Sequence, residues 1–142
     1  MSHTGSYAGD LDPTETWARL KRDPKARLID VRSEAEWTFV GLPDLSGLAK
    51  QPLLLAWQHF PGMRMNPEFV EQLSAELSDK DGPLFFLCRS GQRSMHAAAA
   101  LTAVGYRQCY NVVEGFEGRH DAEGHRGTIA GWKARGLPWR QG

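Results

Sequence analysis

Cys88 opens a run of seven residues, Cys88-Arg89-Ser90-Gly91-Gln92-Arg93-Ser94, in which a thiol, two guanidinium groups, two hydroxyls and a glycine sit within two helical turns. An apolar run, Pro83 to Leu87, precedes it, and an alanine-rich run from Met95 to Val104 follows. That order reads as strand, tight polar turn, helix, with the cysteine at the mouth of the turn. The first backbone N–H groups of such a helix are unpaired and carry the positive end of its dipole, so they favour negative charge at the sulfur. Arg89 and Arg93 add positive charge that favours a thiolate and attracts an oxyanion. The chemistry this pattern can support is nucleophilic attack by sulfur, with the amides of Arg89 to Ser94 acting as an oxyanion hole.

The elements around it must place that turn at one edge of a fold. Asp12-Pro13 supplies a cap and a first-turn proline for a helix over Thr14 to Arg22, with Trp17 and Leu20 as apolar points. Arg27 to Val31 reads as a buried strand, and Ser33 to Phe39 as a short helix with Glu36 at capping-box spacing. Gly41 to Lys50 has no periodicity and reads as an ordered loop. Pro52 to Trp57 reads as another strand. Asn66-Pro67 opens a helix with Phe69, Val70, Leu73 and Leu77 on one face. Asp81-Gly82 turns the chain into the strand Leu84 to Leu87. The helix Arg93 to Val104 ends at Gly105, and Cys109 to Val113 is a last strand. In the tail, Gly115-Phe116-Glu117-Gly118 is a glycine-rich polar segment and Thr128 to Arg135 reads as helical before Gly136-Leu137-Pro138-Trp139.

Strands alternating with helices, and apolar on both sides, predict an α/β fold with a mainly parallel sheet covered on two faces. Ligands of such sheets lie at the carboxyl ends of the strands, where Cys88 falls and where Asp30 also ends a strand. The length, 142 residues, fits a single domain over 1–142 with a core of about 14–139. The 17 basic and 17 acidic residues balance, with no long run of either sign, which argues against nucleic acid or an anionic membrane as partner. No stretch reaches the ~20 apolar residues of a membrane helix, and Met1 to Asp12 lacks the apolar centre of a signal peptide, so a cytoplasmic location is expected. Two cysteines make neither a disulfide framework nor a zinc site, and no metal or cofactor is expected.

These residues together resemble the single-domain rhodanese family of sulfurtransferases. The matching pieces, in order, are Leu28-Ile29-Asp30-Val31-Arg32 with Glu36-Trp37, the loop Cys88 to Ser94, Gly115-Phe116, and Gly131-Trp132 with Gly136-Leu137-Pro138. The cysteine loop is the specific part. The resemblance implies a five-stranded parallel sheet flanked by helices and a ping-pong reaction. In it a sulfane sulfur passes from a donor such as thiosulfate to the Cys88 thiolate, and the persulfide then delivers it to cyanide, a thiol or a protein acceptor. Arg89 and Arg93 would hold the sulfite part of the donor, because guanidinium donors fit oxyanion edges. A sulfur carrier or protein-binding module with incidental activity is the alternative. Cysteine phosphatases and arsenate reductases are less favoured: phosphatases on a similar loop need one more residue between cysteine and arginine, and here four residues separate Cys88 from Arg93.

The family pattern also carries a Gly-His-Ile-x-Gly-Ala stretch after its Glu-Trp pair. This chain instead reads Phe39-Val40-Gly41-Leu42-Pro43-Asp44-Leu45 with a longer run to the next strand, and it has extra residues at Arg119 to Arg126. Both departures concern the rim of the site. Asp30 and Arg32 are read as a charge pair bracing the loop rather than reactants. Cys109, which starts a strand, is read as core at the opposite end of the sheet from Cys88. His96 is expected to be a helix-surface residue, and His120 and His125, with Asp121 and Glu123, a solvated loop. The five tryptophans are read as core and rim packing.

Overall fold

A computed structural model describes residues 6–141. The signal-peptide expectation for Met1 to Asp12 therefore falls partly outside the described residues. In chain order the elements are β1 (Gly9–Leu11), α1 (Pro13–Arg22), β2 (Arg27–Asp30), α2 (Glu34–Phe39), β3 (Leu42–Pro43), a 3-10 turn (Ser46–Leu48), β4 (Leu53–Leu54), β5 (Gln58–His59) and β6 (Arg64–Met65). They continue with α3 (Phe69–Glu76), β7 (Leu84–Leu87), α4 (Gln92–Ala103), β8 (Cys109–Val112) and β9 (Trp139–Arg140). Five of the strands form one sheet in the order β1-β8-β7-β2-β4, and every pairing in it is parallel.

Successive residues of a strand point to opposite faces, and two cores result. Ile29, Leu84 and Phe86 pack with Phe69, Leu73 and Leu77 around α3 and with Ala97, Ala98 and Leu101 of α4. Leu28, Phe85 and Leu87 pack on the other face with Leu20 of α1, Leu45, Phe116 and Trp132. Helices thus cover both faces, as the apolar strands require. β7 is buried along its whole length, and its register sets Leu84 beside Cys109 and Leu87 beside Asp30. Cys88 therefore lies just past the carboxyl end of the sheet and Cys109 at its amino end.

Local chemistry explains the helix boundaries. The Asp12 carboxylate accepts from the Glu15 amide at 2.8 Å, with Pro13 in the first turn of α1. At α2 the Ser33 amide and hydroxyl both donate to Glu36 Oε1, at 3.1 and 3.0 Å. Gly105 follows the end of α4 with φ +104, and the amides of Gly105 and Tyr106 close the last turn on Thr102 and Leu101.

Four expectations need correction. The fold begins before residue 14, because Gly9–Leu11 is an edge strand paired with β8. A three-residue strand has too short a pattern to stand out in the sequence. Pro52 to Trp57 gives only Leu53–Leu54 as strand; the Leu55 and Trp57 amides still donate to the Asp30 and Val31 carbonyls before the chain enters an antiparallel hairpin of β5 and β6. The loop at 41–50 is pinned by β3, which pairs with β9 from the far end of the chain. Thr128 to Arg135 is a series of turns rather than a helix. There the amides of Trp132 and Lys133 donate to the carbonyls of Gly115 and Phe116, so long-range bonds take the groups that a helix would use.

Candidate active site

The loop between β7 and α4 is held from outside by the turn at 115–118. The Phe116 amide donates to the Cys88 carbonyl at 2.8 Å, and the Glu117 and Gly118 amides donate to the Arg89 carbonyl at 3.0 and 3.1 Å. With the carbonyls drawn outward, the loop amides are free to face the sulfur. Glycine is needed on both sides of this contact. Gly115 has φ +71, and a Cβ there would lie 2.5 Å from the Arg89 carbonyl. Gly91 has φ +108, and a Cβ there would lie 2.3 Å from the Val113 oxygen.

Cys88 is 1% exposed. Its Sγ accepts from the Gly91 amide at 3.1 Å and lies 3.2 Å from the Ser94 hydroxyl. Gly91 is the residue that precedes the first turn of α4, so the helix dipole adds to that bond. Of the amides from Arg89 to Ser94 expected to line the cradle, the Gly91 amide is the one that reaches Sγ among the described residues. Ser94 is fully buried, and its hydroxyl also lies 2.6 Å from Asn111 Oδ1 at the end of the sheet.

The two arginines of the loop have different surroundings. Arg93 makes a two-pronged ion pair with Glu36 of α2, Nη1 to Oε1 at 2.7 Å and Nη2 to Oε2 at 2.8 Å. Burial alone would push the Glu36 carboxyl up, but the Arg93 guanidinium and the Ser33 donors outweigh it and hold it at about 2. For Arg93, burial works against the charge, and the Glu36 contact with the nearby Cys88 and Asp30 overrides it and raises its pKa. Arg89 is exposed and has no ion-pair partner among the described residues. The two arginines expected to hold the sulfite part of a donor thus differ in setting: among the described residues Arg89 has no ion-pair partner, and Arg93 is shared with Glu36.

Asp30 and Arg32 form the charge pair read from their spacing. Both are fully buried, with Arg32 Nη2 2.7 Å and Nε 2.9 Å from the carboxylate. Arg32 also donates to the Gly41 carbonyl at 2.7 Å, and its guanidinium lies 4.3 Å above the Phe116 ring. The pair therefore braces the turn at 115–118 that holds the cysteine loop. His96 is exposed on α4. Asp121 accepts from the Glu123 and His125 amides and from the Thr128 hydroxyl, which organises the loop at 119–126. Burial pushes the Cys109 thiol up to about 11.

A cleft of about 620 Å3 opens beside the loop. Arg89, Arg93, Glu36 and Glu117 supply its charge, and Val40, Phe60 and Met63 its apolar wall. Phe60 and Met63 come from the β5–β6 hairpin. The roles of Glu36 and Asn111 at the loop, and this hairpin, escaped the sequence reading. Glu36 was read as a cap and as part of the Glu36-Trp37 match but not as the partner of Arg93, which is 57 residues away with nothing in the intervening pattern to link them.

The protein-family model described as the STR4 middle domain matches residues 9–142. The chain belongs to the rhodanese-like family. A Rickettsia rickettsii protein described as uncharacterized is 38% identical over 128 residues, which cover 89% of this chain and 93% of that one. Rhodanese-like domain-containing protein 4 of Arabidopsis thaliana, a chloroplast protein, is 27% identical over 124 residues; the match covers 87% of this chain but 24% of the plant protein. Among solved structures, Rv0390 from M. tuberculosis superposes with a TM-score of 0.90 at 49% identity, covering 96% of this chain and 100% of its own. The polysulfide-sulfur transferase of Wolinella succinogenes shares the fold, with a TM-score of 0.62 at 22% identity over 96% of this chain and 80% of its own.

Proposed function

We propose that the protein is a sulfurtransferase that carries a sulfane sulfur on Cys88. The observation that carries this reading is the position of Sγ, which is past the end of β7, bonded to the Gly91 amide and facing the start of α4. Attack of the Cys88 thiolate on the outer sulfur of thiosulfate forms the S–S bond of a persulfide. The sulfur–sulfur bond of the donor breaks, and sulfite leaves with its electron pair. In the second half-reaction a thiolate or cyanide attacks the terminal sulfur, and the Cys88 thiolate departs. Both reacting species are anionic at sulfur, so the one pocket at the Gly91 amide serves both steps.

Arg89 is assigned to the sulfite end of the donor and Arg93 to shaping the loop through Glu36. Ser90 and Gln92 complete the loop between these groups. The persulfide of another donor enters the same way as thiosulfate. The two free, buried cysteines fit a reducing compartment such as the cytoplasm. A second reading, a sulfur-carrying module whose acceptor is a protein, is favoured by the large apolar side chains exposed at the cleft: Phe60 is 59% exposed and Met63 39%.

Turnover of thiosulfate with cyanide, set beside hydrolysis of an aryl phosphate by the same preparation, tests the reading. Sulfur transfer without phosphatase activity is expected. Cys88-dependent phosphate release without sulfur transfer would replace it with the phosphatase alternative.

A further inference from the structure

The Ser94 hydroxyl has one proton and two neighbours that can accept it: Cys88 Sγ at 3.2 Å and Asn111 Oδ1 at 2.6 Å. The orientation of Asn111 is fixed from behind. Its Nδ2 donates to Asp10 Oδ1 at 3.2 Å and to the Gly91 carbonyl at 3.3 Å, and Asp10 Oδ1 is in turn held by the Tyr7 hydroxyl at 2.9 Å. An amide oxygen only accepts, so the face that Asn111 presents to Ser94 cannot give a proton back. Asn111 is 3% exposed and Ser94 0%, which removes water as a substitute partner.

We infer that Asn111 is a positioning residue for Cys88: its carbonyl competes with the sulfur for the Ser94 proton, so that the charge on the sulfur and the rotation of that hydroxyl are coupled. This rests on the reading of Cys88 as the nucleophile. With a neutral thiol, the S–H donates to Ser94 Oγ and the hydroxyl donates to Asn111, and every group in the chain is satisfied. With a thiolate or a persulfide, the hydroxyl turns to the sulfur and the buried Asn111 oxygen loses its donor. Losing a donor at a buried acceptor is costly. Asn111 therefore biases the empty site toward the thiol, and the Ser94 proton becomes the one that follows the sulfur's charge through the cycle. The charges bearing on the same site are Arg93 of α4 with Glu36 of α2, Asp30 with Arg32 at the end of β2, exposed Arg89, and Asp10 of β1 behind Asn111. Substituting Asn111 removes none of these charges and takes one donor from exposed Asp10, a change that is the same with and without Ser94.

The test is a pH titration of the thiolate's ultraviolet absorbance, each protein corrected with its matching Cys88→Ser variant. Asn111→Ala should move the midpoint down by about 1 pH unit, roughly a tenfold change in proton affinity, because the hydroxyl is released to the sulfur. In a Ser94→Ala background, Asn111→Ala should leave the midpoint where it was. A purely structural role would move the midpoint in both backgrounds. The same shift with and without Ser94, or a midpoint that stays or rises in Asn111→Ala, overturns the inference. If Asn111→Ala does not fold, the similarly shaped Asn111→Leu removes the same carbonyl and no charge, and should give a downward shift that also vanishes with Ser94→Ala; an unmoved midpoint then overturns it. No substrate is used, so a chain that titrates as expected but accepts no sulfur would sink the sulfurtransferase reading alone.

Discussion

At the scale of single residues, the two loop arginines separate binding from support. Arg89 has no ion-pair partner among the described residues and lines the cleft, so Arg89→Ala should raise the KM for thiosulfate by about tenfold, the loss of one charge-assisted contact at an exposed site. Releasing Arg93 with Glu36→Gln should instead lower that KM, since a second guanidinium then faces the donor. Steady-state kinetics on the two variants checks both, and a raised KM in Glu36→Gln would mean that Glu36 positions the donor itself. The same substitution carries a pH signature. The folded-state pKa of Glu36 is depressed from 4.5 to about 2, so the stability it adds is present above about 4.5 and is lost as the pH falls toward 2. The loss is up to about 3 kcal/mol, and Glu36→Gln should flatten acid denaturation in that window. The cysteine and both arginines were legible in the sequence because their chemistry is local to seven residues. The pairing of Glu36 with Arg93 was not, because ion pairs across 57 residues leave no local pattern.

At the scale of elements, the strand-turn-helix unit is held by backbone bonds from the turn at 115–118, since the Phe116 and Glu117 amides fix the Cys88 and Arg89 carbonyls. Gly91→Ala places a Cβ 2.3 Å from the Val113 carbonyl at a φ of +108, so the loop must move. A displacement of ~1 Å costs about a hundredfold in rate. That loss of kcat, with a far-ultraviolet circular dichroism spectrum like that of the wild type, is the expected outcome; unchanged kcat would mean that the amide direction matters little. The strands and helices around the loop were readable from apolar period and caps. The tail was not: the pattern of Thr128 to Arg135 suits a helix, but the Trp132 and Lys133 amides are taken by Gly115 and Phe116, and such competition from a distant partner is invisible to a local pattern. Likewise the run at Pro52 to Trp57 is apolar enough for a longer strand, yet regular pairing with β2 covers Leu53 and Leu54, and after single bonds from the Leu55 and Trp57 amides to the Asp30 and Val31 carbonyls the chain turns into the hairpin that walls the cleft.

At the scale of the whole molecule, the parallel sheet assigns the two cysteines to opposite ends and so to different fates. Burial raises the Cys109 thiol to about 11 at the amino end of β8, whereas Cys88 sits in the cradle at the carboxyl end of β7. The sequence order of strands and helices was enough to place them, because a parallel sheet with crossover helices puts every strand end on the same rim. The most direct measurement is the intact mass of the protein after incubation with thiosulfate and removal of excess reagent. Wild type and Cys109→Ser should each gain the mass of one sulfur and lose it again to cyanide, while Cys88→Ser should gain none. A sulfur that appears on Cys88→Ser, or no added sulfur on the wild type, would contradict the account.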